Sequence, residues 1–123
     1  VALDTSASMA DEIPRALGAI ADFCDAAGVD QVRLVQCDAA VTGDELLPPE
    51  ALALHRIHGY GGSDLSPAFS HLAADAQTRA VLVITDGDVI YPDRPPPYDV
   101  LWLLPSGTSF PFTPRYGRAV RMD

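Results

Sequence analysis

The apolar run at residues 80–85 constrains the fold of this chain most strongly. It reads Ala-Val-Leu-Val-Ile-Thr, carries no charge, and is followed at once by Asp86-Gly87-Asp88. Continuously apolar strands rich in β-branched residues are typical of the centre of a parallel sheet, because helices cover both faces of such a sheet. The run therefore predicts an α/β domain built on parallel strands.

Strand and helix patterns alternate along the rest of the chain. Apolar residues at helical spacing predict one helix from Ile13 that ends at Gly28, and a second helix over residues 65–76. Strands are predicted at residues 1–3, 31–37, 52–57, 80–85, 100–104 and 119–122, with turn or edge structure at 42–50 and a loop at 106–114. Right-handed crossovers between such strands predict a doubly wound, mostly parallel central sheet with helices on both faces.

The length of the chain fits one domain over residues 1–123 with a single core. The first predicted strand has only three residues before its loop, which is shorter than the usual five or six. We therefore expect upstream sequence to be missing, so that the chain is an excised or N-terminally truncated part of a longer protein.

Composition excludes several classes of function. The formal net charge of −9 repels phosphate backbones and anionic lipid surfaces, so we expect neither a nucleic acid nor a membrane partner. All eight basic residues are arginine. Without lysine the chain cannot form a Walker-type P-loop, a Schiff base or a lysine-assisted aspartyl-phosphate site.

Cysteine and histidine do not point to a metal site of their own. Cys24 and Cys37 have the context of small buried residues in a reducing compartment, which predicts a cytoplasmic location. His55 and His58 are three residues apart, but the glycines that follow argue against a helix there. Together with His71 they make no HExxH motif, so we interpret them as surface or packing residues.

Oxygen-bearing side chains stand where predicted strands end. Asp4, Asp38, Ser63 and Asp86 all lie at or just beyond such an end. In doubly wound sheets, ligands bind outside the carboxyl ends of the strands, where the strand order reverses. The first loop, Asp4-Thr5-Ser6-Ala7-Ser8, adds two hydroxyls to its carboxylate. Carboxylate and hydroxyl oxygens suit a hard cation such as Mg²⁺.

This combination resembles the metal-ion-dependent adhesion site (MIDAS) of the von Willebrand factor A (VWA) family. The matching residues are Asp4, Ser6, Ser8, Ser63 and Asp86. Ser63 stands where the family usually has threonine, and Ala7 replaces a glycine often seen in the first motif. Residues 35–41 and 116–120 are also similar to the VWA-like module of bacterial proteins, which lies behind a predicted metallopeptidase-like region.

The resemblance implies a Rossmann-like fold and a non-catalytic, metal-dependent protein-interaction module. In that family the ion is Mg²⁺ (or Mn²⁺ or Ca²⁺), held here by the hydroxyls of Ser6, Ser8 and Ser63 and by Asp4 and Asp86, directly or through water. A partner protein offers an acidic residue to the open position of the ion. Outer carboxylates are expected at Asp38, Asp64 and Asp88, although Asp38 and Asp88 fit helix-cap or turn roles equally well.

Two other functions remain open from the residues alone. A metal-dependent hydrolase or phosphotransferase would use Asp4 as nucleophile, but a dehalogenase-type site would want aspartate where Ser6 stands and a lysine that the chain lacks. The third possibility is a structural module whose site has degenerated. In that case Ser6 or Ser8 only caps a helix.

Overall fold

The computed structural model describes residues 1–52, 57, 61–105 and 112–121. The strands are β1 (Ala2–Asp4), β2 (Val32–Cys37), β3 (Val41–Leu47), β4 (Ala80–Ile84), β5 (Asp99–Leu104) and β6 (Arg118–Arg121). The helices are α1 (Ile13–Ala27), α2 (Pro49–Leu52) and α3 (Ser66–Ala73), and a 3₁₀ turn spans Ala7–Met9.

In the described part of the chain these strands form one sheet in the order β3-β2-β1-β4-β5-β6. Only the edge strand β3 runs antiparallel to its neighbour, and the other pairs are parallel. The mostly parallel α/β sheet predicted from the sequence is confirmed. The order matches that of Rossmann-like sheets, in which the chain changes direction between the two central strands. Here that point lies between β1 and β4.

Two apolar clusters lie on opposite faces of the sheet, because successive residues of a strand point to opposite sides. Leu3 packs in the cluster that contains α1 and Leu52 of α2. Its neighbour Ala2 packs in the other cluster, with α3 and Trp102. Helices therefore contact both faces, and the carboxyl ends of β1 and β4 emerge side by side between these two layers.

Helix α1 follows its sequence pattern closely. Pro14 falls in the first turn, where its missing N–H removes no hydrogen bond. Gly28 ends the helix with φ of 71°, a left-handed conformation that glycine adopts without the steric cost other residues pay. The predicted helix from Ile13 to the stop at Gly28 is confirmed.

Some predicted boundaries were wrong. The strand expected at 52–57 does not start at Leu52, which ends helix α2; Pro49 and Glu50 favour the first turn of a helix there. Ile57 lies in no strand, and residues 53–56 lie outside the described residues. The turn or edge segment contains a full edge strand, β3, and helix α3 ends at Ala73 rather than at residue 76.

The strand predicted at 119–122 is β6, which begins one residue earlier; its predicted last residue, 122, is not described. In the predicted loop at 106–114, residues 112–114 have no regular structure and 106–111 lie outside the described residues.

Aromatic side chains cover the sheet where β4 passes to β5 and β6. Trp102 is fully buried, packs edge-on against Tyr91 and Phe112, and donates a 2.9 Å hydrogen bond to the carbonyl of Tyr116. No helix in the described residues is long and apolar enough to cross a membrane.

Candidate metal centre

Asp4 lies at the end of β1, beside β4, and is fully buried. Its Oδ1 accepts a 2.9 Å hydrogen bond from the backbone N–H of Ser6. Its Oδ2 accepts a 2.6 Å hydrogen bond from the hydroxyl of Thr85, which directly follows β4. Both carboxylate oxygens are thus held from two different loops, and the carboxylate has one fixed orientation.

The charge of Asp4 is not fully compensated by these contacts. Burial raises the pKa of the Asp4 carboxyl above its ordinary value, and the negative charge of Asp86 raises it further. The hydrogen bonds from Ser6 and Thr85 act in the opposite direction. A buried carboxylate that is repelled by a second carboxylate forms a place where a cation is favoured.

Two hydroxyls stand next to this carboxylate. The Oγ atoms of Ser6 and Ser8 lie 3.3 Å apart, within hydrogen-bond distance of each other. The 3₁₀ turn Ala7–Met9 begins directly after Ser6, and its tight fold brings the two hydroxyls together. Ser6 is buried and Ser8 is exposed, so the pair reaches from the interior to solvent.

Asp86 begins the loop after β4. Its Oδ1 accepts a 3.0 Å hydrogen bond from the backbone N–H of Asp88, which closes a tight turn. Asp86 is partly exposed, whereas Asp88 is exposed. The negative charge of Asp86 acts on the carboxyl of Asp4, whereas Asp88 has a backbone role in the turn, with its side chain in solvent.

Ser63 reaches this end of the sheet on a third loop. Its carbonyl accepts a 2.8 Å hydrogen bond from the N–H of Ile90, and Leu65 in turn donates to the carbonyl of Ile90. A small recess between the two loops is lined by Ala39, Ser63, Asp64, Asp88, Val89 and Ile90. These contacts place Ser63 beside the loop of Asp86. Ser63 is connected to Asp4, Ser6 and Ser8 indirectly, through that loop.

The carboxylates of Asp38 and Asp64 accept hydrogen bonds from backbone N–H groups. The carboxylate of Asp38 accepts hydrogen bonds from the N–H groups of Ala39, Ala40 and Gly61, which lower its pKa. Asp64 Oδ1 accepts a 2.9 Å bond from the N–H of Ser66, the first residue of α3. Both carboxylates therefore stabilise the backbone of the loops that carry them.

One buried polar atom near the candidate centre lacks a partner. The hydroxyl of Thr5, between Asp4 and Ser6, is buried and makes no hydrogen bond within the described residues. An unpaired buried hydroxyl costs about 1–3 kcal/mol, and unplaced water or an ion is a usual explanation. The carboxylates of Asp4 and Asp86 and the hydroxyls of Ser6 and Ser8 are also the kind of oxygen ligands that Mg²⁺ prefers. The residues present therefore fit a hydrated divalent cation.

Sequence reasoning missed Thr85. Its hydroxyl donates to Asp4, yet in the sequence it is only the last residue of an apolar strand. The available signal was its position: a hydroxyl that ends a central strand next to a carboxylate. Such a group lies at the edge where the candidate ligands gather.

Other candidate ligands do not form a second centre. In the described part of the chain no three His, Cys, Asp or Glu side chains are grouped to hold a metal. His71 bonds to Asp44 on the surface, while His55 and His58 lie outside the described residues. Cys24 and Cys37 are free and buried as predicted, and burial raises the pKa of the Cys37 thiol to about 11.

A larger groove lies at the opposite end of the strands. Its walls include Phe23, Leu82, Leu101 and Arg118, and they are mainly apolar. The described residues of its walls include no grouping of carboxylates with hydroxyls like that around Asp4, so the candidate centre is placed at the carboxyl ends.

Comparison with known proteins identifies a matching family model. The family model described as "VWA-like domain (DUF2201)" covers residues 1–123. No curated protein and no solved structure matches the chain. Since the family model spans the entire sequence, and the sheet has the mostly parallel α/β arrangement expected of a VWA-like fold, the chain belongs to the VWA-like domain family DUF2201.

Proposed function

We propose that this domain is a non-catalytic protein-interaction module that depends on a divalent cation, Mg²⁺ in the first place. Asp4, Ser6, Ser8, Ser63 and Asp86 hold the ion in a MIDAS-type site. The bound ion supplies an electrophilic position for an acidic side chain of a partner protein. The domain is doubly wound, as expected from the sequence, and helices on both faces of the sheet support this.

The observation that carries the proposal is the burial and hydrogen bonding of the Asp4 carboxylate. A fully buried carboxylate with each oxygen held by a donor stands beside a second carboxylate and a pair of hydroxyls 3.3 Å apart. Because Ser8 is exposed, an ion held there is open to a partner. A neutral hydroxyl set leaves much of the ion's charge unquenched, which favours binding of an incoming carboxylate.

The geometry does not favour Asp4 as a nucleophile. An attacking oxygen must reach the substrate, whereas Asp4 has no exposed surface and both of its oxygens accept hydrogen bonds. We therefore propose no enzymatic chemistry for this domain. We also propose a cytoplasmic location and an association with a metallopeptidase-like region of a bacterial protein.

Titration calorimetry with MgCl₂, repeated with MnCl₂ and CaCl₂, tests the first half of the proposal. We expect saturable binding by the natural sequence, and at least about tenfold weaker binding, or 1.4 kcal/mol, in Ser6→Ala and Ser8→Ala. Ser70→Ala, an exposed hydroxyl on α3, is the matched control and keeps full affinity. Absence of binding heat for all three ions overturns the proposal and favours a structural module with a degenerate site.

The second half is tested with acetate as the carboxylate probe. In the Mn²⁺-loaded domain, a carboxylate that enters the open position has its carboxyl-carbon NMR signal broadened by the paramagnetic ion. We expect this broadening with the natural sequence and its loss in Ser6→Ala. A loaded domain that leaves the acetate signal unchanged contradicts carboxylate capture while leaving metal binding intact.

A further inference from the structure

Thr85 connects the parts of the candidate centre. Its backbone N–H donates a 3.2 Å hydrogen bond to the carbonyl of Leu103 in β5. Its side-chain hydroxyl donates to Asp4 Oδ2 at 2.6 Å and accepts a 3.2 Å hydrogen bond from the backbone N–H of Gly87. Thr85 is fully buried, so none of these contacts competes with solvent.

The direction of these bonds leaves the hydroxyl little freedom. A threonine hydroxyl has one hydrogen, and an ionised carboxylate can only accept, so that hydrogen points to Asp4. The N–H of Gly87 then bonds to one of the two lone pairs of the same oxygen. The hydroxyl is therefore oriented from both sides, and a short bond to a charged group is the strong kind.

The hydroxyl of Thr85 also fixes the backbone around Asp86. This residue lies between Thr85 and Gly87, so the hydroxyl ties down the backbone on either side of it. Gly87 is constrained independently, with φ of 90° and space for a Cβ blocked by Phe112 at 2.9 Å. The loop that carries Asp86 is consequently fixed with respect to Asp4 through a single hydroxyl.

We infer that Thr85 is a positioning residue that sets the spacing of Asp4 and Asp86 and thereby the affinity of this domain for divalent cations. The inference rests on the proposed function. The role assigned to Thr85 is separate from that of the ligands, because its hydroxyl already bonds to Asp4 and to Gly87. It acts on the ion only through the two carboxylates.

The test compares three variants by titration with MgCl₂. Thr85→Val keeps the shape and removes the hydroxyl, whereas Thr85→Ser keeps the hydroxyl and removes a methyl group. Thr78→Val makes the same exchange just before β4, at the far end of that strand. We expect Thr85→Val to lose at least tenfold in Mg²⁺ affinity, and Thr85→Ser and Thr78→Val to stay within threefold of the natural sequence.

Circular dichroism on each metal-free variant checks that it is folded before titration. Should Thr85→Val not fold, Thr85→Ala removes the same hydroxyl and is titrated in its place. Natural affinity in a folded variant without the hydroxyl overturns the inference. So does equal loss in Thr85→Ser, since the hydroxyl would then not be the cause.

Failure of the inference can be told apart from failure of the proposed function. If the natural sequence binds no Mg²⁺, both fall. If it binds Mg²⁺ and Thr85→Val binds it equally well, only the inference falls. If the variants behave as expected but Mn²⁺-loaded protein leaves acetate unaffected, the role of Thr85 stands and carboxylate capture falls.

Discussion

The carboxylate of Asp38 and the backbone of Gly61 join two loops of the candidate centre. Asp38 Oδ2 accepts a 3.0 Å hydrogen bond from the N–H of Gly61, and a Cβ atom at residue 61 would lie 2.7 Å from that same oxygen. Asp64 adds a second link, because its N–H donates a 2.7 Å bond to the carbonyl of Asp38. The loop of Ser63 is therefore fastened to the end of β2.

Gly61→Ala is expected to break this connection. The added methyl group displaces the Asp38 carboxylate, so we predict a loss of about 1 kcal/mol in the free energy of unfolding, the usual worth of one such bond. Urea unfolding measures it. Asp38→Ala removes the same contact, so the double variant should be no less stable than Asp38→Ala alone. Additive losses would contradict the shared contact.

Asp4→Asn is expected to separate stability from metal binding. The raised pKa of Asp4 means that the folded state binds the proton of this carboxyl more tightly than the unfolded chain does. The stability this group contributes is therefore present below the ordinary carboxyl value and is lost as the pH rises through the folded pKa. Asparagine stays neutral and keeps one acceptor oxygen where alanine keeps none, so at pH 7 in EDTA the variant should unfold at higher urea concentrations than Asp4→Ala.

The same variant should gain no stability from Mg²⁺, whereas the natural sequence gains it through ligand binding. Asp4→Ala is the control. It leaves the Ser6 N–H and the Thr85 hydroxyl without their acceptor, which costs about 1–3 kcal/mol. An Asp4→Asn protein as unstable as Asp4→Ala would show that the remaining acceptor oxygen does not stabilise the metal-free fold.

Gly117→Ala and Gly18→Ala are expected to change stability in opposite directions. Gly117 has φ of 76°, and an added Cβ would lie 2.4 Å from the carbonyl oxygen of Val100, so we predict a loss of about 2 kcal/mol or more. A Cβ at Gly18, inside α1, meets nothing within 4 Å. Alanine there should add about 0.5–1 kcal/mol. Thermal and urea unfolding measure the change in stability of each variant. Equal changes in the two variants would contradict the roles assigned to these backbone conformations.

Asp44 gives the domain a pH-dependent contact. Hydrogen bonds, first from Arg33 and then from His71, lower the pKa of its carboxyl to about 2. A lowered pKa contributes stability above the ordinary carboxyl value of 3.8, which is lost as the pH falls towards 2. Because the group is partly exposed, we expect only about 1 kcal/mol.

Asp44→Asn should therefore be less stable than the natural sequence at pH 6, and the difference should shrink steadily below pH 4. Urea unfolding at several pH values measures the difference. Asp93→Asn, in a much more exposed pair with Arg115, is the control and should show no such difference. A gap for Asp44→Asn that persists unchanged at low pH would contradict the assignment.

Much of the fold was predictable because its signals are local. Helix α1 carries apolar residues at helical spacing between Pro14 and Gly28, and β4 is an unbroken apolar run. Residues 52–57 carried a weaker signal. Alanine and leucine there suit a helix as well as a strand, and Pro49 and Glu50 fit a turn as well as the start of a helix.

The candidate centre was predictable only in part. The resemblance to VWA domains singled out Asp4, Ser6, Ser8, Ser63 and Asp86, and their metal binding stays a prediction. The structure brings Ser6 and Ser8 together and sets Asp86 close enough to raise the pKa of Asp4. The backbone contacts of Asp38 and Asp64 depend on how separate loops pack, which no spacing in the sequence reveals.

The sequence by itself determined the strand and helix segments and the oxygen-bearing residues at the strand ends, because periodicity and turn residues act over a few neighbours. Only the tertiary structure decided that Thr85 holds Asp4, a hydrogen bond between residues 81 positions apart. That bond exists because β4 pairs with β1 in the sheet. Strand order is set by packing of the whole chain, so the partner of a buried carboxylate cannot be read from its neighbours in sequence.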